Sequence, residues 1–210
     1  MSMIASDNGG SNIEKLEGGV YTGISSAIID LGLQTSEKFG KTQRKFIMVW
    51  DIPSEEIEIK GQRQARQMSK EYSFSLNEKR TLRIDLQAWR GKNFTEEEAR
   101  GFNLLNLLNK GCQLQIILEK KNDKSYNNIA GIVSLPKGVE VETLQNTYHF
   151  DLENVETYKN WSRIPEWIQD RIKKADNYES SGLKEYIEQY KDIQAYTQSD
   201  DLASQDDLPF

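Results

Sequence analysis

The sequence predicts a mainly β protein with a few added helices. Five segments show the short apolar runs or the polar–apolar alternation of strands, and polar turns separate them. Helical periodicity appears between the third and the fourth of these segments and again after residue 150. A chain of 210 residues with this pattern is expected to form one domain of ordinary size with appendages.

The predicted strands form two groups, three before the central helical region and two after it. They cover residues 20–34, 44–52, 66–76, 112–118 and 126–135. Gly40 marks the first turn, and an acidic loop separates the second strand from the third. In the third strand, Met68, Tyr72 and Phe74 alternate with polar residues, so they are expected to share one face of the sheet.

The central helical region is expected to contain two pieces. Asn77 is the candidate N-cap of the first helix, and Gly91 is the glycine that ends it. A capping-box pattern at Thr95 and Glu98 predicts a second helical piece that runs through residues 102–111.

Three strands, a helix and two more strands make up the element order of the OB-fold. This fold is a five-stranded, partly open barrel with its helix between strands three and four. We therefore expect an OB-fold domain in residues 19–150, after a flexible N-terminal segment of residues 1–18. Two amphipathic helices are expected in residues 151–195, where they cap the barrel or mediate self-association, and a disordered acidic tail in residues 196–210.

Residues that carry catalysis or hold cofactors are scarce in this chain. Cys112 is the only cysteine and His149 the only histidine, so a disulfide, a conventional zinc site and a Cys–His catalytic pair are not expected. The sequence has no glycine-rich phosphate loop and no carboxylate cluster at metal-ligand spacing. We therefore expect a protein that is not an enzyme, with no catalytic residue, metal or cofactor. It has no apolar run of membrane-spanning length and no secretory leader, so a cytoplasmic location is expected.

Charge is distributed unevenly along the chain. The net charge is −6, yet residues 20–150 carry 19 basic and 16 acidic side chains. Between Lys60 and Lys92, nine basic residues stand against three acidic ones, whereas residues 196–210 carry four acids and no base. The central block is therefore expected to attract the phosphates of a nucleic acid.

Aromatic residues are interleaved with these cations. This combination suits a single-stranded nucleic acid, because cations hold the phosphates and flat rings stack on the bases. Four aromatics in apolar stripes are assigned to the core, namely Phe46, Trp50, Phe74 and Trp89. Four others, beside turns or polar neighbours, are the stacking candidates Tyr21, Phe39, Tyr72 and Tyr126. The predicted DNA-binding residues are Lys38, Phe39, Lys41, Arg44, Lys45, Arg63, Arg66, Lys70, Tyr72, Arg90, Lys92, Lys121 and Tyr126.

The acidic tail carries the most specific motif, formed by Asp206, Asp207, Leu208, Pro209 and Phe210. It resembles the tail of bacterial and phage single-stranded-DNA-binding proteins, which closes in Asp-Asp-x-Pro-Phe or a close variant; the rest of the chain looks more like the divergent phage and mobile-element members. The resemblance implies sequence-independent binding and protection of single-stranded DNA in replication, recombination and repair. It also implies that these five residues recruit partner proteins, with Phe210 in an apolar pocket and the acids against basic residues.

Two other functions are compatible with the same residues. A strand-annealing recombination protein would bind single strands and also pair them. A protein-only adaptor would work through its tail, since "QDDLPF" also fits the Gln-x-x-Leu-x-Phe pattern of peptides that bind the bacterial sliding clamp. A homo-oligomer is compatible with the helical stripes.

Overall fold

The computed structural model describes residues 15–59, 61–121 and 124–190, and a six-stranded sheet forms its centre. The strands are β1 (Gly19–Thr35), β2 (Thr42–Ile59), β3 (Gln62–Ser73), β4 (Gly111–Lys121), β5 (Lys124–Val133) and β6 (Tyr148–Phe150). The helices are α1 (Thr81–Arg90), α2 (Glu96–Arg100) and α3 (Glu166–Ile172), with 3₁₀ helices at Leu104–Leu107 and Val155–Arg163 and a further helix at residues 183–190. The prediction of a mainly β protein with a few helices is confirmed.

The sheet has the strand order β3-β2-β1-β4-β5, with antiparallel neighbours throughout this path. β1 lies at the centre because it pairs with β2 along residues 24–35 and with β4 along residues 19–24. The short β6 pairs with β1 in parallel, at Ala27–Ile29. Among the described residues the sheet is not closed, because no ladder joins β3 to β5.

β1 bends at two shifts in its register with β2, the second of them between Asp30 and Gly32. Gly32 has a φ of +70°, a conformation that favours glycine. A Cβ at this position would lie 2.6 Å from side-chain atoms of Leu152 and Asn177. The residues after β6 therefore reach β1 only because position 32 has no side chain.

The sheet has a separate core on each face. The inner core joins β1, β2, β3, β4 and β5 to α1 and includes Phe46, Trp50 and Trp89, which are 0%, 0% and 6% exposed. These three aromatics are therefore core residues, as predicted. The outer core lies on the opposite face of β1 and β2, where Ile47 and Val49 pack against residues of the segment 150–187. We call residues 151–190 the C-terminal appendage, and its apolar side chains cover the face of β1 and β2 that the inner core leaves open.

Several elements differ in length from what the sequence predicted. The expected acidic loop after residue 52 is part of a long hairpin, because β2 continues to Ile59 and β3 begins at Gln62. The second helical piece is interrupted at Gly101, which leaves only the short α2 and the 3₁₀ helix at Leu104–Leu107. The capping box at Thr95 is confirmed, since its hydroxyl accepts from the Glu98 N–H at 3.1 Å. β6 was not predicted at all.

Candidate nucleic-acid interface

A basic cleft lies beside the turn that joins β1 to β2. Its volume is about 410 Å³, and its lining consists of Ser36, Phe39, Lys41, Gln43, Lys45 and Arg80. The turn is tight because the N–H groups of Phe39 and Gly40 both donate to the Ser36 carbonyl, at 3.2 and 2.7 Å. Phe39 stands at the tip and is 68% exposed, so its ring is accessible from solvent.

The cations of the basic cleft differ in how far they are already neutralised. Lys41 and Arg80 form no ion pair within the part of the chain that the structure describes. Lys45 donates to Glu71 at 2.8 Å, and Arg171 of the appendage donates to the same carboxylate. Burial opposes ionisation of Glu71, but the hydrogen bonds from Arg171 and Lys45 outweigh it and lower the pKa of Glu71. Lys41 and Arg80 are therefore the cations available to a phosphate, while Lys45 is held by the protein.

Lys38 extends the basic surface along the turn. Its ammonium lies 5.4 Å from the centroid of the Phe39 ring, and the side chain is exposed. No carboxylate lines the cleft among the described residues. A strand that stacks a base on Phe39 would therefore meet three cations at the same end of the sheet.

Arg44, a predicted DNA contact, does not line the basic cleft. Its guanidinium lies 2.7 Å from Asp30, 2.7 Å from Asp151 and 2.9 Å from Glu153. The hydrogen bond to Asp30 is the main reason that the pKa of Arg44 is raised. Arg44 therefore joins β1 and β2 to the appendage, and three carboxylates already occupy its donors.

Lys70 and Tyr72 are also structural, because the face of β3 that carries them turns inward. Tyr72 is 5% exposed, and its hydroxyl donates to Asp85 of α1 at 2.7 Å. The Lys70 ammonium lies 2.7 Å from the same carboxylate. Burial and the neighbouring Asp85 carboxylate raise the pKa of the Tyr72 hydroxyl, so it stays protonated and donates. The alternation in β3 was predicted correctly, but the burial of Tyr72 does not support its predicted stacking on bases.

Arg90 is enclosed by protein as well. It pairs with Glu98, and its guanidinium lies over the rings of Phe94 and Phe102, at 4.2 and 5.3 Å from their centroids. Lys92 approaches Glu98 at 3.4 Å but remains 65% exposed. Of these two predicted DNA contacts, only Lys92 has an ammonium accessible to a phosphate.

The remaining predicted residues lie at the other end of the sheet. Asp51 of β2 pairs with Ile24, and Ile116 of β4 pairs with Gly19, so the β2–β3 and β4–β5 hairpins both extend beyond the N-terminal end of β1. The first hairpin carries Arg63, 80% exposed, and the half-buried Arg66; the second carries the exposed Lys121 and Tyr126, the latter 46% exposed. The predicted site therefore divides into the basic cleft and a separate pair of hairpin ends.

Two functional candidates were missed or misassigned by sequence reasoning. Arg80 was counted among the basic residues, but nothing local indicated that it meets the β1–β2 turn. Phe74 was assigned to the core by its apolar stripe; its ring does pack on Phe46, at a centroid distance of 4.6 Å, yet it remains 43% exposed. Tyr21, a stacking candidate, is half-buried and donates its hydroxyl to the Glu17 carbonyl at 2.9 Å.

Cys112, the single cysteine, is a core residue. It is 0% exposed, and burial raises the pKa of its thiol to about 12. The thiol is therefore protonated at neutral pH and is a poor nucleophile.

Within the described ranges, no group of three or more His, Cys, Asp or Glu side chains is placed to hold a metal ion. Across the same ranges, no helix combines the length and the apolar character needed to cross a membrane.

Comparisons with known proteins give no family for this chain. No protein-family model matches the sequence, and no curated protein matches it.

Proposed function

We propose that this protein binds single-stranded DNA with little sequence preference and performs no catalysis. The observation that carries the proposal is the basic cleft, where the exposed ring of Phe39 stands beside Lys38, Lys41 and Arg80 without a lining carboxylate. Cations of this kind bind any phosphate, and an exposed ring accepts any unpaired base, so neither contact depends on sequence. Bases in a duplex are already stacked, which favours single strands as the ligand.

The strand order supports an OB-type fold as the framework of this activity. In an OB-fold, five strands form a partly open barrel, and a helix follows the third strand. Here α1 follows β3, and β4 pairs with β1 on the side opposite to β2. The two edge strands β3 and β5 are the ones that would complete such a barrel.

Recruitment of replication, recombination or repair proteins is the second part of the proposal. It depends on the acidic segment of Asp206, Asp207, Leu208, Pro209 and Phe210, which lies outside the described residues. An apolar ring preceded by proline and carboxylates suits a pocket with a basic rim.

Replacing Lys38, Lys41 and Arg80 together by Gln should weaken binding of oligo-dT and flatten its salt dependence. Each phosphate contact on a single strand contributes about 0.7 to the slope of log K against log salt, so loss of three contacts should reduce the slope by about 2. Fluorescence titrations of labelled oligo-dT between about 50 and 200 mM salt measure both quantities.

A matched control for this variant replaces three other exposed lysines that do not line the basic cleft, Lys110, Lys137 and Lys159, by Gln. The change in net charge is the same, so a general electrostatic effect would appear equally in both proteins. Equal slopes for the two variants would exclude the basic cleft as the phosphate site, and no binding by the wild-type protein would exclude the proposed function.

Replacing Phe210 by Ala should leave oligo-dT affinity unchanged and abolish capture of partner proteins. The tail carries no cation in residues 196–210, so it has nothing with which to hold a phosphate. Titrations with oligo-dT measure whether the affinity for DNA is unchanged. Affinity captures from extracts containing replication and repair proteins measure whether recruitment is lost. Equal capture by wild type and variant would move the recruiting element elsewhere in the chain.

A further inference from the structure

A second cleft lies at the same end of the sheet, between β6, the end of β3 and the 3₁₀ helix at Leu104–Leu107. We call it the mixed cleft, and its volume is about 350 Å³. Much of its wall is apolar, including Phe74, 43% exposed, and Leu105, 40% exposed. Two large apolar side chains thus face solvent in a concave site that no element of the described chain covers.

The polar part of the lining keeps unused hydrogen-bonding capacity. Asn103 and Asn154 each accept a backbone N–H through the side-chain oxygen, from Leu105 at 3.0 Å and from Glu156 at 3.1 Å. Their amide NH₂ groups donate to no partner within the described residues. Asp151 uses one carboxylate oxygen for Arg44 and for the Glu153 N–H, which leaves its second oxygen as an acceptor. Donors and an acceptor therefore stand beside the apolar wall.

The charge of the mixed cleft excludes an anionic ligand. Among the described residues, Arg44 is the only Lys or Arg in its lining, and it is already paired with Asp30, Asp151 and Glu153. A phosphate or an acidic peptide would meet more negative than positive charge at this place. The ligand that fits is neutral and has one apolar part and one part with donors and acceptors.

The mixed cleft is close in the fold to the basic cleft. Arg44 lines the first and Lys45 the second, and consecutive residues of a strand point to opposite faces. Both clefts therefore lie at the same end of β2, on its two sides. A nucleic-acid strand that passes round this end would have its phosphates at the cations and its bases within reach of the mixed cleft.

We propose that the mixed cleft receives a nucleobase of the bound strand, with Phe74 as the ring on which the base stacks. This inference rests on the proposed function, because the phosphates in the basic cleft are what bring the base to the site. A nucleobase is neutral, has a flat apolar face and carries donors and acceptors on its edge, as the lining requires. The basic cleft thus holds phosphates and one base on Phe39, and the mixed cleft receives a further base of the same strand.

Replacing Phe74 by Leu tests the proposal, because it removes the ring and keeps an apolar side chain. Affinity for oligo-dT should fall by about 5- to 150-fold, the range that loss of one stacked base produces. The slope of affinity against salt should stay unchanged, because no cation is removed. An abasic strand of the same length should bind both proteins equally, since it has no base to lose.

Trp167→Leu is the matched control, because Trp167 is an aromatic of α3 that is 53% exposed and lines neither cleft. Leu105→Ala is a second variant of the mixed cleft and should also weaken oligo-dT relative to the abasic strand. It covers the case in which Phe74→Leu fails to fold, since Phe74 packs on Phe46 with a centroid distance of 4.6 Å.

The outcomes separate the two proposals. If the wild-type protein binds no oligo-dT, the proposed function fails. If wild type binds and folded Phe74→Leu and Leu105→Ala proteins keep full affinity, the base pocket is overturned while the proposed function stands. Equal losses for oligo-dT and the abasic strand also overturn it. If the mixed cleft instead binds a protein partner, the Phe74→Leu and Leu105→Ala proteins would keep the wild-type affinity for oligo-dT.

Discussion

Replacing Arg44 by Met should lower the free energy of unfolding by about 3–5 kcal/mol, the range for removing one partner of a buried ion pair. The side chain of Asp30 is only 3% exposed, and Arg44 is the cation that neutralises it. Asp30 also accepts the N–H groups of Gly32 at 2.9 Å and Leu152 at 3.2 Å. The variant would leave this carboxylate buried without a counter-charge.

Urea unfolding of the Arg44→Met protein measures the loss, and Asp30→Asn combined with Arg44→Met is its control. The double variant has no buried charge to neutralise, so it should recover part of the lost stability. A single variant that loses less than about 1 kcal/mol would show that Asp30 does not depend on Arg44. In that case Arg44 would be available as a phosphate contact, as the sequence suggested.

The role of Arg44 shows why charge alone did not identify the site. Its position beside the β1–β2 turn predicted an exposed cation. Its partners come from β1 and from residues 151–153, more than 100 positions later. No local sequence pattern predicts such a contact. Composition therefore predicted a basic region correctly but overestimated how many of its cations are available.

Local signals predicted the elements that depend on local chemistry. The alternation in β3 gave the inward face of Met68 and Tyr72, and the capping box at Thr95 gave the start of α2. β6 has only three residues and pairs with β1 across more than 100 positions of sequence, so periodicity could not predict it. Phe74 packs on Phe46 as alternation predicts, at a centroid distance of 4.6 Å, but it follows the last residue of β3 and remains 43% exposed.

In the candidate site too, some residues were predicted from local sequence signals and others reach the site only through tertiary contacts. Turn signals at Gly40 placed Phe39 and Lys41 in solvent, because a tight turn leaves its tip exposed. Arg80 meets these residues through the packing of the segment before α1, which is a tertiary contact. The mixed cleft is assembled from the end of β3, the 3₁₀ helix at Leu104–Leu107 and β6, so it has no sequence signature of its own.

Replacing Tyr72 by Ala should destabilise the protein by about 3–5 kcal/mol, the range for truncating a large buried aromatic. Its ring packs on Phe46 at a centroid distance of 5.5 Å, and its hydroxyl satisfies Asp85. Oligo-dT affinity of the folded fraction should stay at the wild-type value. Phe39→Ala should behave in the opposite way, with unchanged stability and a loss of about 1–3 kcal/mol in binding.

Urea unfolding and oligo-dT titration of both variants, under conditions where each is folded, test this assignment of the two rings. Tyr72→Phe refines the test, because it keeps the packing and removes only the hydrogen bond to Asp85. Tyr72→Phe should lose less unfolding free energy than Tyr72→Ala, since Lys70 still neutralises the Asp85 carboxylate at 2.7 Å.

If Tyr72→Phe keeps full stability but weakens oligo-dT binding, the Tyr72 hydroxyl contacts the strand and β3 belongs to the interface after all. If Phe39→Ala keeps full affinity, the exposed ring of the basic cleft does not stack on a base, and binding there rests on the cations alone.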